Sequence, residues 1–348
     1  MAYRTIVVGT DGSPTAYRAQ HQATRIAKRM GARMVIVCGT ASPIAHREAK
    51  NIVAKACASA QRHGIEATGS VRTGEPADAI AESASESSAD LIVVGDVGMG
   101  HLRHFRLGGV AERTAHKAPT DVLIVRTRDK VRRERYDQPY RGILVGTDGS
   151  PSATAAVLKA FDLGMILEIG VMVLYVAGDP IIGAIVLERA GASKPDWVPI
   201  QTRIVEGEPA EKIQEVAQEE HRDLIIVGNK GIVGTRRYTM TAVPTQLAHG
   251  SGQDLLIAKT TERTIADLGP DRGGVVDVEG KKVAVYIDAE GHAYGLSPRC
   301  QHMGCSVQWN DRDKTWDCPC HGSRYKFDGQ VIQGPATRSL DSVQLRPS

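Results

Sequence analysis

A doubly wound α/β fold that occurs twice, followed by a C-terminal segment of different character, is the fold class this 348-residue sequence predicts. Three observations lead there. The first 260 residues are an internal duplication, and self-similarity of that kind decides architecture before any local reading. Within each copy, short β-branched runs without polar alternation are separated by Ala-rich stretches, the pattern of buried parallel strands and crossover helices. Four of the six cysteines lie beyond residue 299, in two short loops that also carry histidines.

Taken in order, the elements repeat one by one. The run Tyr3 to Pro14, with Ile6-Val7-Val8-Gly9 as a strand, recurs as Tyr140 to Pro151. A helix is expected over Ala16 to Met30. Gly74-Glu75-Pro76-Ala77 recurs as Gly207-Glu208-Pro209-Ala210, and in the first copy it leads into a helix over Ala77 to Ser88. Asp90 to Gly95 recurs as Asp223 to Gly228. Ala115-His116 followed by Asp121 to Val125 recurs as Ala248-His249 followed by Asp254 to Ala258. A helix from about Gly109 to Lys117 precedes the last strand of the first copy. The longest apolar stretch, Leu163 to Ala177, contains Glu168 and Gly170 and reads as a helix end feeding a buried strand rather than a membrane span. Each copy is thereby expected to form a five-stranded parallel sheet, in domains at 1–128 and 139–261. The charged run Thr127 to Asp137 reads as a solvated connection, with the linker placed at 129–138. Thr260 to Leu268 leads into the last domain, 262–348, whose opening strands are expected at Gly274 to Val278 and Lys282 to Asp288 around a Gly280-Lys281 hairpin signal.

Composition narrows the function classes. With 42% hydrophobic and 24% charged residues the chain is an ordinary globular protein of two or three domains. A net charge of +3, both signs interspersed, gives no argument for nucleic acid or an acidic membrane surface. Three Phe, three Trp and nine Tyr leave little for base stacking. The opening Met1-Ala2-Tyr3-Arg4-Thr5 runs into too short an apolar stretch for a signal-peptide core, so no membrane anchor and a cytoplasmic location are expected. Cys38 and Cys57 read as small packing residues.

The strongest chemical statement is Cys300-x-His302 followed, after fifteen residues, by Cys318-x-x-His321. The spacing suits two Cys and two His ligands on one metal centre. A mononuclear zinc site is the alternative reading of such pairs, but it has no use for the additional Cys305 and Cys320. The segment, with Gly304, Gly322, Ser323 and Gly334-Pro335-Ala336, resembles the Rieske iron–sulfur domain of cytochrome bc complexes. That resemblance implies a small all-β domain. It implies that Cys300 and Cys318 hold one iron of a [2Fe-2S] cluster and His302 and His321 the other, with Cys305 and Cys320 paired as a disulfide between the two loops. It also implies that the Ser323 and Tyr325 hydroxyls hydrogen-bond to sulfur and raise the potential, towards the upper half of the Rieske span of about −150 to +300 mV.

The duplicated part resembles the universal stress protein family. The family's phosphate motif, G-x2-G-x9-G-[S/T], is met by Gly95, Gly98 and Gly108, with Gly109 in the hydroxyl position. Glycines let a backbone approach a triphosphate, and the following helix offers free N–H groups. Asp11 and Asp148 occupy the family's acidic position after strand 1, and Asp11, Gly95 and Gly98 are expected to converge beyond the strand ends. The second copy keeps Gly228 and Gly231 but has Thr241 and Ala242 at the later positions, so its site is expected to be degenerate. Lys230 and Arg236-Arg237 there, and His101 and His104 in the first loop, read either as phosphate contacts or as ordinary solvated loop residues.

The resemblances together imply an electron-transfer or redox-sensing protein, with a [2Fe-2S] cluster and ATP or a related adenine nucleotide as ligands. Its partners would be a redox donor and acceptor, protein or small molecule. The tandem copies are expected to pair within the chain or in a homodimer. Electron delivery to a separate oxygenase or reductase is one alternative. The other is a nucleotide-sensing stress protein whose cluster is structural.

Overall fold

The structure is a computed structural model that describes residues 3–40, 46–97, 107–126, 139–176, 180–192, 198–229, 242–260, 265, 268–278, 281–302, 304–318 and 322–345. It divides into two units, Met1–Thr260 and Thr261–Ser348.

In the first unit, strands β1 (Thr5–Gly9), β2 (Arg33–Thr40), β3 (Ala67–Thr73), β4 (Leu91–Gly95) and β5 (Asp121–Val125) alternate with helices α1 (Pro14–Met30), α2 (His46–Arg62), α3 (Pro76–Glu86) and α4 (Gly109–Lys117). The second copy repeats the series with β6 (Gly142–Thr147), α5 (Pro151–Leu167), β7 (Gly170–Val176), α6 (Pro180–Ala192), β8 (Ile200–Val205), α7 (Pro209–Glu219), β9 (Leu224–Gly228), α8 (Val243–Gly250) and β10 (Asp254–Ala258). The central runs Ile6-Val7-Val8, Leu91-Ile92-Val93, Ile143-Leu144-Val145 and Leu224-Ile225-Ile226 are almost wholly shielded, because a parallel sheet covered on both faces leaves no strand side for water. The apolar stretch from Leu163 divides as expected: α5 ends at Leu167 and β7 begins at Gly170, with Glu168 in the left-handed conformation between them.

Both copies start their first helix with one device. Ser13 and Ser150 cap α1 and α5 by accepting the N–H of Ala16 and Ala153, and Pro14 and Pro151 follow at the position where a missing N–H costs nothing.

The two halves are not separate sheets. The strand order is β3-β2-β1-β4-β5-β10-β9-β6-β7-β8, a single ten-stranded sheet that is parallel within each half and antiparallel where β5 meets β10. Leu123 pairs with Leu256, its own equivalent in the repeat, so a pseudo-two-fold axis passes between them. Buried carboxylates hold this seam. Asp121 accepts the Tyr3 hydroxyl at 2.8 Å and the Lys259 N–H at 2.8 Å, while Asp254 accepts the Tyr140 hydroxyl at 2.9 Å and the Arg126 N–H at 2.8 Å. Side chains cross the seam too: Arg126 reaches the carbonyls of Leu247 and Ala248 at the end of α8, and Lys259 reaches that of Ala115 in α4. Cations there bond carbonyls in the last turns of the helices, where positive charge is favoured.

The second unit is all-β. Strands β11 (Arg272–Val278), β12 (Lys281–Ile287) and β13 (Ala293–Leu296) form a three-stranded antiparallel sheet. Strands β14 (Gln308–Asn310), β15 (Thr315–Asp317), β16 (Arg324–Lys326) and β17 (Val331–Gln333) form a four-stranded one. The turn expected at Gly280 falls outside the described residues, and Lys281 is already the first residue of β12. No helix among the described residues is long and apolar enough to cross a membrane.

Candidate functional site

Two loops of the second unit, one between β13 and β14 and one between β15 and β16, have the same backbone wiring. In the first, the Cys300 N–H donates to the Cys305 carbonyl and the Gly304 N–H to the Cys300 carbonyl. In the second, the Cys318 N–H donates to the Ser323 carbonyl and the Gly322 N–H to the Cys318 carbonyl. Gly304 and Gly322 have φ of 75° and 76°, the left-handed turn that closes each loop at little cost only with glycine. Cys305 and Ser323 thus occupy equivalent places.

The loops bring Cys300 and Cys318 together. Each is 2% exposed and each is a free thiol, whereas Cys305 is not among the free cysteines. Cys300 Sγ lies 3.1 Å from the Tyr325 hydroxyl, which also accepts the Gln301 N–H at 3.1 Å. Burial pushes the Cys300 thiol up, but hydrogen bonds to Tyr325, the His302 backbone, Cys318 and Ser323 outweigh it and hold the group below its ordinary range. The Tyr325 phenol is driven the other way, by burial first and by its bond to Cys300 second. Ser323 is fully buried and accepts the Ala336 N–H at 3.0 Å, leaving its own proton for sulfur. His302 is exposed at the loop surface. His321 and Cys320 lie outside the described residues.

This donor set fits an iron–sulfur group: two sequestered thiols, that of Cys300 biased towards thiolate, with hydroxyl donors aimed at sulfur.

In the first unit, Asp11 follows β1 and Gly95 ends β4, adjacent strands at which the sheet order reverses. That switch point is where open α/β sheets leave a crevice. Asp11 Oδ1 accepts the Ser13 N–H at 2.9 Å around Gly12, and Asp148 repeats this with Ser150 at 2.9 Å around Gly149. Gly108 caps α4 and Gly109 is its first residue. A contact that sequence reasoning missed joins the two sides: Thr15 Oγ1 donates to the Val97 carbonyl at 2.7 Å.

Gly95 and Gly228 also have a packing reason. A Cβ on Gly95 would stand 3.2 Å from the Thr15 carbonyl oxygen, and one on Gly228 would stand 2.5 Å from that of Ser152, because the first turns of α1 and α5 cross directly over the strand ends. In the second copy Ala242 caps α8 without a side-chain bond. Gly98, His101, His104, Lys230, Gly231, Arg236, Arg237 and Thr241 lie outside the described residues, as does the segment 129–138.

The family model described as "Universal stress protein family" matches residues 2–126 and 184–259. The chain belongs to the universal stress protein family. The interval between the matched segments contains β6, α5 and β7, which stand in the second half where β1, α1 and β2 stand in the first. A second model, the "Rieske [2Fe-2S] domain", matches residues 261–344, so this stress protein also carries a Rieske domain. Among solved structures, the fold is shared with a universal stress protein from Archaeoglobus fulgidus DSM 4304, with a TM-score of 0.61 and 18% identity over 73% of this chain and 98% of that one. It is also shared with a universal stress protein structure from Pseudomonas aeruginosa UCBPP-PA14, with a TM-score of 0.58 and 17% identity over 75% of this chain and 94% of that one.

The Rieske part is 42% identical over 79 residues to a Rieske 2Fe-2S iron–sulfur protein of Bacillus subtilis (strain 168), covering 23% of this chain and 16% of that protein. The chain is also 38% identical over 103 residues to the cytochrome b6-f complex iron–sulfur subunit of a Synechococcus strain, covering 27% of this chain and 60% of the subunit. The chain therefore spans between 16% and 60% of the length of these relatives.

Proposed function

We propose that this stress protein is an electron-transfer or redox-sensing protein in which Cys300 and Cys318 hold one iron of the [2Fe-2S] cluster and His302 and His321 the other. The cluster supplies one-electron chemistry at a raised potential, because neutral imidazoles replace two thiolates. The protein residues do the tuning. Tyr325 and Ser323 direct hydroxyl protons at sulfur, stabilising the more negative reduced state, and burial of both cysteines excludes water from their side of the site. The reading rests above all on the paired loops that bury two free thiols beside Tyr325. A disulfide between Cys305 and Cys320 would tie the loop tips, and Cys305 being disulfide-bonded supports it.

The same proposal places an adenine nucleotide at the crevice of the first copy, with Asp11 at the nucleoside and Gly95, Gly98, Gly108 and Gly109 around the phosphates. The switch point and the glycine start of α4 support it. The second site, at Asp148, Gly228 and Gly231, is weaker, since Thr241 stands where the first copy has its third glycine, Gly108, and a side chain there opposes close approach of backbone to phosphate. Sensing requires linkage: nucleotide must shift the cluster potential by the free energy with which oxidation state shifts nucleotide affinity. EPR of the reduced full chain tests the cluster, a rhombic Rieske signal being expected and its absence from iron-loaded protein counting against it. Repeating the titration with ATP tests linkage. A midpoint that ATP leaves unmoved makes the two modules independent.

A further inference from the structure

Five aromatic rings of the Rieske unit, those of Tyr294, Tyr286, Phe327, Trp309 and Trp316, are in contact, and strand register sets a sixth, Tyr325, opposite Trp316. Across β12 and β13, Tyr286 faces Tyr294; across β14, β15 and β16, Trp309, Trp316 and Tyr325 face one another in turn. The rows meet because Tyr286 also faces Gly273 on β11, and the Trp309 ring occupies the space a Cβ at Gly273 would need. Trp309 consequently stacks on Tyr286 at 4.8 Å between centroids and meets Trp316 edge-on at 4.9 Å. Phe327 lies 5.4 Å from both Tyr286 and Tyr294 and completes the packing.

The two ends differ chemically. The inner end is the Tyr325 hydroxyl on Cys300 Sγ, in a fully buried ring beside a fully buried Trp316. The outer end is Tyr294, 37% exposed on the rim of a surface groove of about 560 Å³. Along the row each outer ring has a carboxylate on its polar atom: Trp309 Nε1 on Asp311, the Tyr286 hydroxyl on Asp271 at 3.0 Å, and the Tyr294 hydroxyl on Asp288 Oδ2 at 3.2 Å. The same Asp288 oxygen is 3.1 Å from His292 Nδ1, so a Tyr–Asp–His relay leads to solvent. By contrast the Trp316 indole donates to the Phe327 carbonyl, which cannot take its proton.

We propose that this row carries one-electron oxidising equivalents outward from the Cys300 side of the cluster site to Tyr294, where a small thiol or enediol reductant quenches them. An oxygen-centred radical, RO•, of the kind peroxides give beside reduced iron, is the oxidant. It takes one electron, supplied in succession through Tyr325, Trp316, Trp309 and Tyr286, and one solvent proton, becoming ROH. The electron lost last is from Tyr294, whose phenolic proton passes to the Asp288–His292 pair, leaving a neutral tyrosyl. A thiol RSH then returns one hydrogen atom, restoring the phenol and leaving RS•. The steps are short, 4.9 Å between the Trp316 and Trp309 centroids and 4.8 Å between Trp309 and Tyr286, with Tyr325 the cross-strand partner of Trp316, and the carboxylate-paired outer tyrosines are where loss of the proton traps the charge.

The part concerning the cluster rests on the function proposed above, and the test separates the two. In the metal-free full chain, pulse-generated azide radicals oxidise tryptophan. The row predicts a concentration-independent decay of the tryptophanyl signal into a tyrosyl signal, reduced at least five-fold in Tyr294→Phe combined with Tyr286→Phe. An unchanged transfer in that variant overturns the proposal. In the reduced chain, after EPR has shown the cluster, hydrogen peroxide is expected to oxidise Tyr294 by peptide mass analysis, and Tyr294→Phe to bleach several times faster. Oxidation that spares Tyr294, with equal bleaching rates, also overturns it. Absence of the cluster signal counts against the cluster reading alone, since the azide result still judges the row.

Discussion

The Tyr325 hydroxyl sits between two groups with opposite demands: the Gln301 N–H donates to its oxygen at 3.1 Å, and Cys300 Sγ lies 3.1 Å away. With its oxygen occupied as an acceptor, its proton has the sulfur as its partner. Tyr325→Phe therefore removes a donor from a thiolate without emptying the buried ring position. A differential of about 1.4 kcal/mol amounts to roughly 59 mV for one electron, and a midpoint lower by that order is expected in a redox titration. An unchanged midpoint would mean the hydroxyl serves packing alone.

Ser323 should behave differently, since it serves backbone and sulfur together. Ser323→Ala leaves the Ala336 N–H without its acceptor as well as removing a proton from Cys300. We expect a lower midpoint and, in addition, a loss of about 1–3 kcal/mol of unit stability. Denaturant unfolding followed by the tryptophan signal separates this from Tyr325→Phe, whose stability change should be smaller.

The stress-protein unit should weaken in alkali through its seam. Burial, and then the Asp121 carboxylate that accepts its hydroxyl, hold the Tyr3 phenol well above its ordinary range. The folded state thus keeps a proton that the unfolded chain releases near pH ~10. Stability from this group is complete below that pH and declines as pH rises above it. Tyr3→Phe should flatten the alkaline decline while costing about 1 kcal/mol at neutral pH for the lost hydrogen bond. Chemical unfolding at pH 7 and at alkaline pH reads both effects.

At the nucleotide crevice, two glycines should fail in different ways. Gly108 has φ of −68°, an ordinary value, so Gly108→Ala should fold normally and lose nucleotide affinity where backbone and phosphate approach closely. Gly95→Ala pushes a Cβ against the Thr15 carbonyl and should lose stability as well. Asp11→Ala is expected to weaken ATP roughly ten- to hundred-fold, one charge-assisted hydrogen bond being worth about 1.5–3 kcal/mol. Asp148→Ala should have a smaller effect. Calorimetric titration and thermal melts together score all four variants.

Much of this was legible in the sequence, for identifiable reasons. Buried parallel strands announce themselves as continuous runs such as Leu224-Ile225-Ile226-Val227, and a duplication doubles the signal. The metal loops are legible because ligand pairs are local, Cys300 with His302 and Cys318 with His321. The joining of β5 to β10 was not, since edge pairing depends on residues 133 apart and on which copy supplies the partner. Tyr3 and Asp121 stand inside the repeated segments, but only the fold shows them 2.8 Å apart. Gly95 reads as a phosphate glycine, while its contact with Thr15 shows a second demand that spacing cannot reveal. The stack of Trp309 on Tyr286 is likewise invisible before the strand register and the gap at Gly273 are known.

The measurement that bears most directly on the central claim is the midpoint potential of the full chain, followed by EPR across neutral to strongly alkaline pH. Two imidazole ligands release their remaining ring protons more readily when the iron is oxidised, so deprotonation favours the oxidised state. The expected midpoint is level at low pH and then falls by about 59 mV per pH unit for each proton lost, with the rhombic signal absent in Cys300→Ser. A midpoint that stays level throughout would contradict His302 and His321 as ligands.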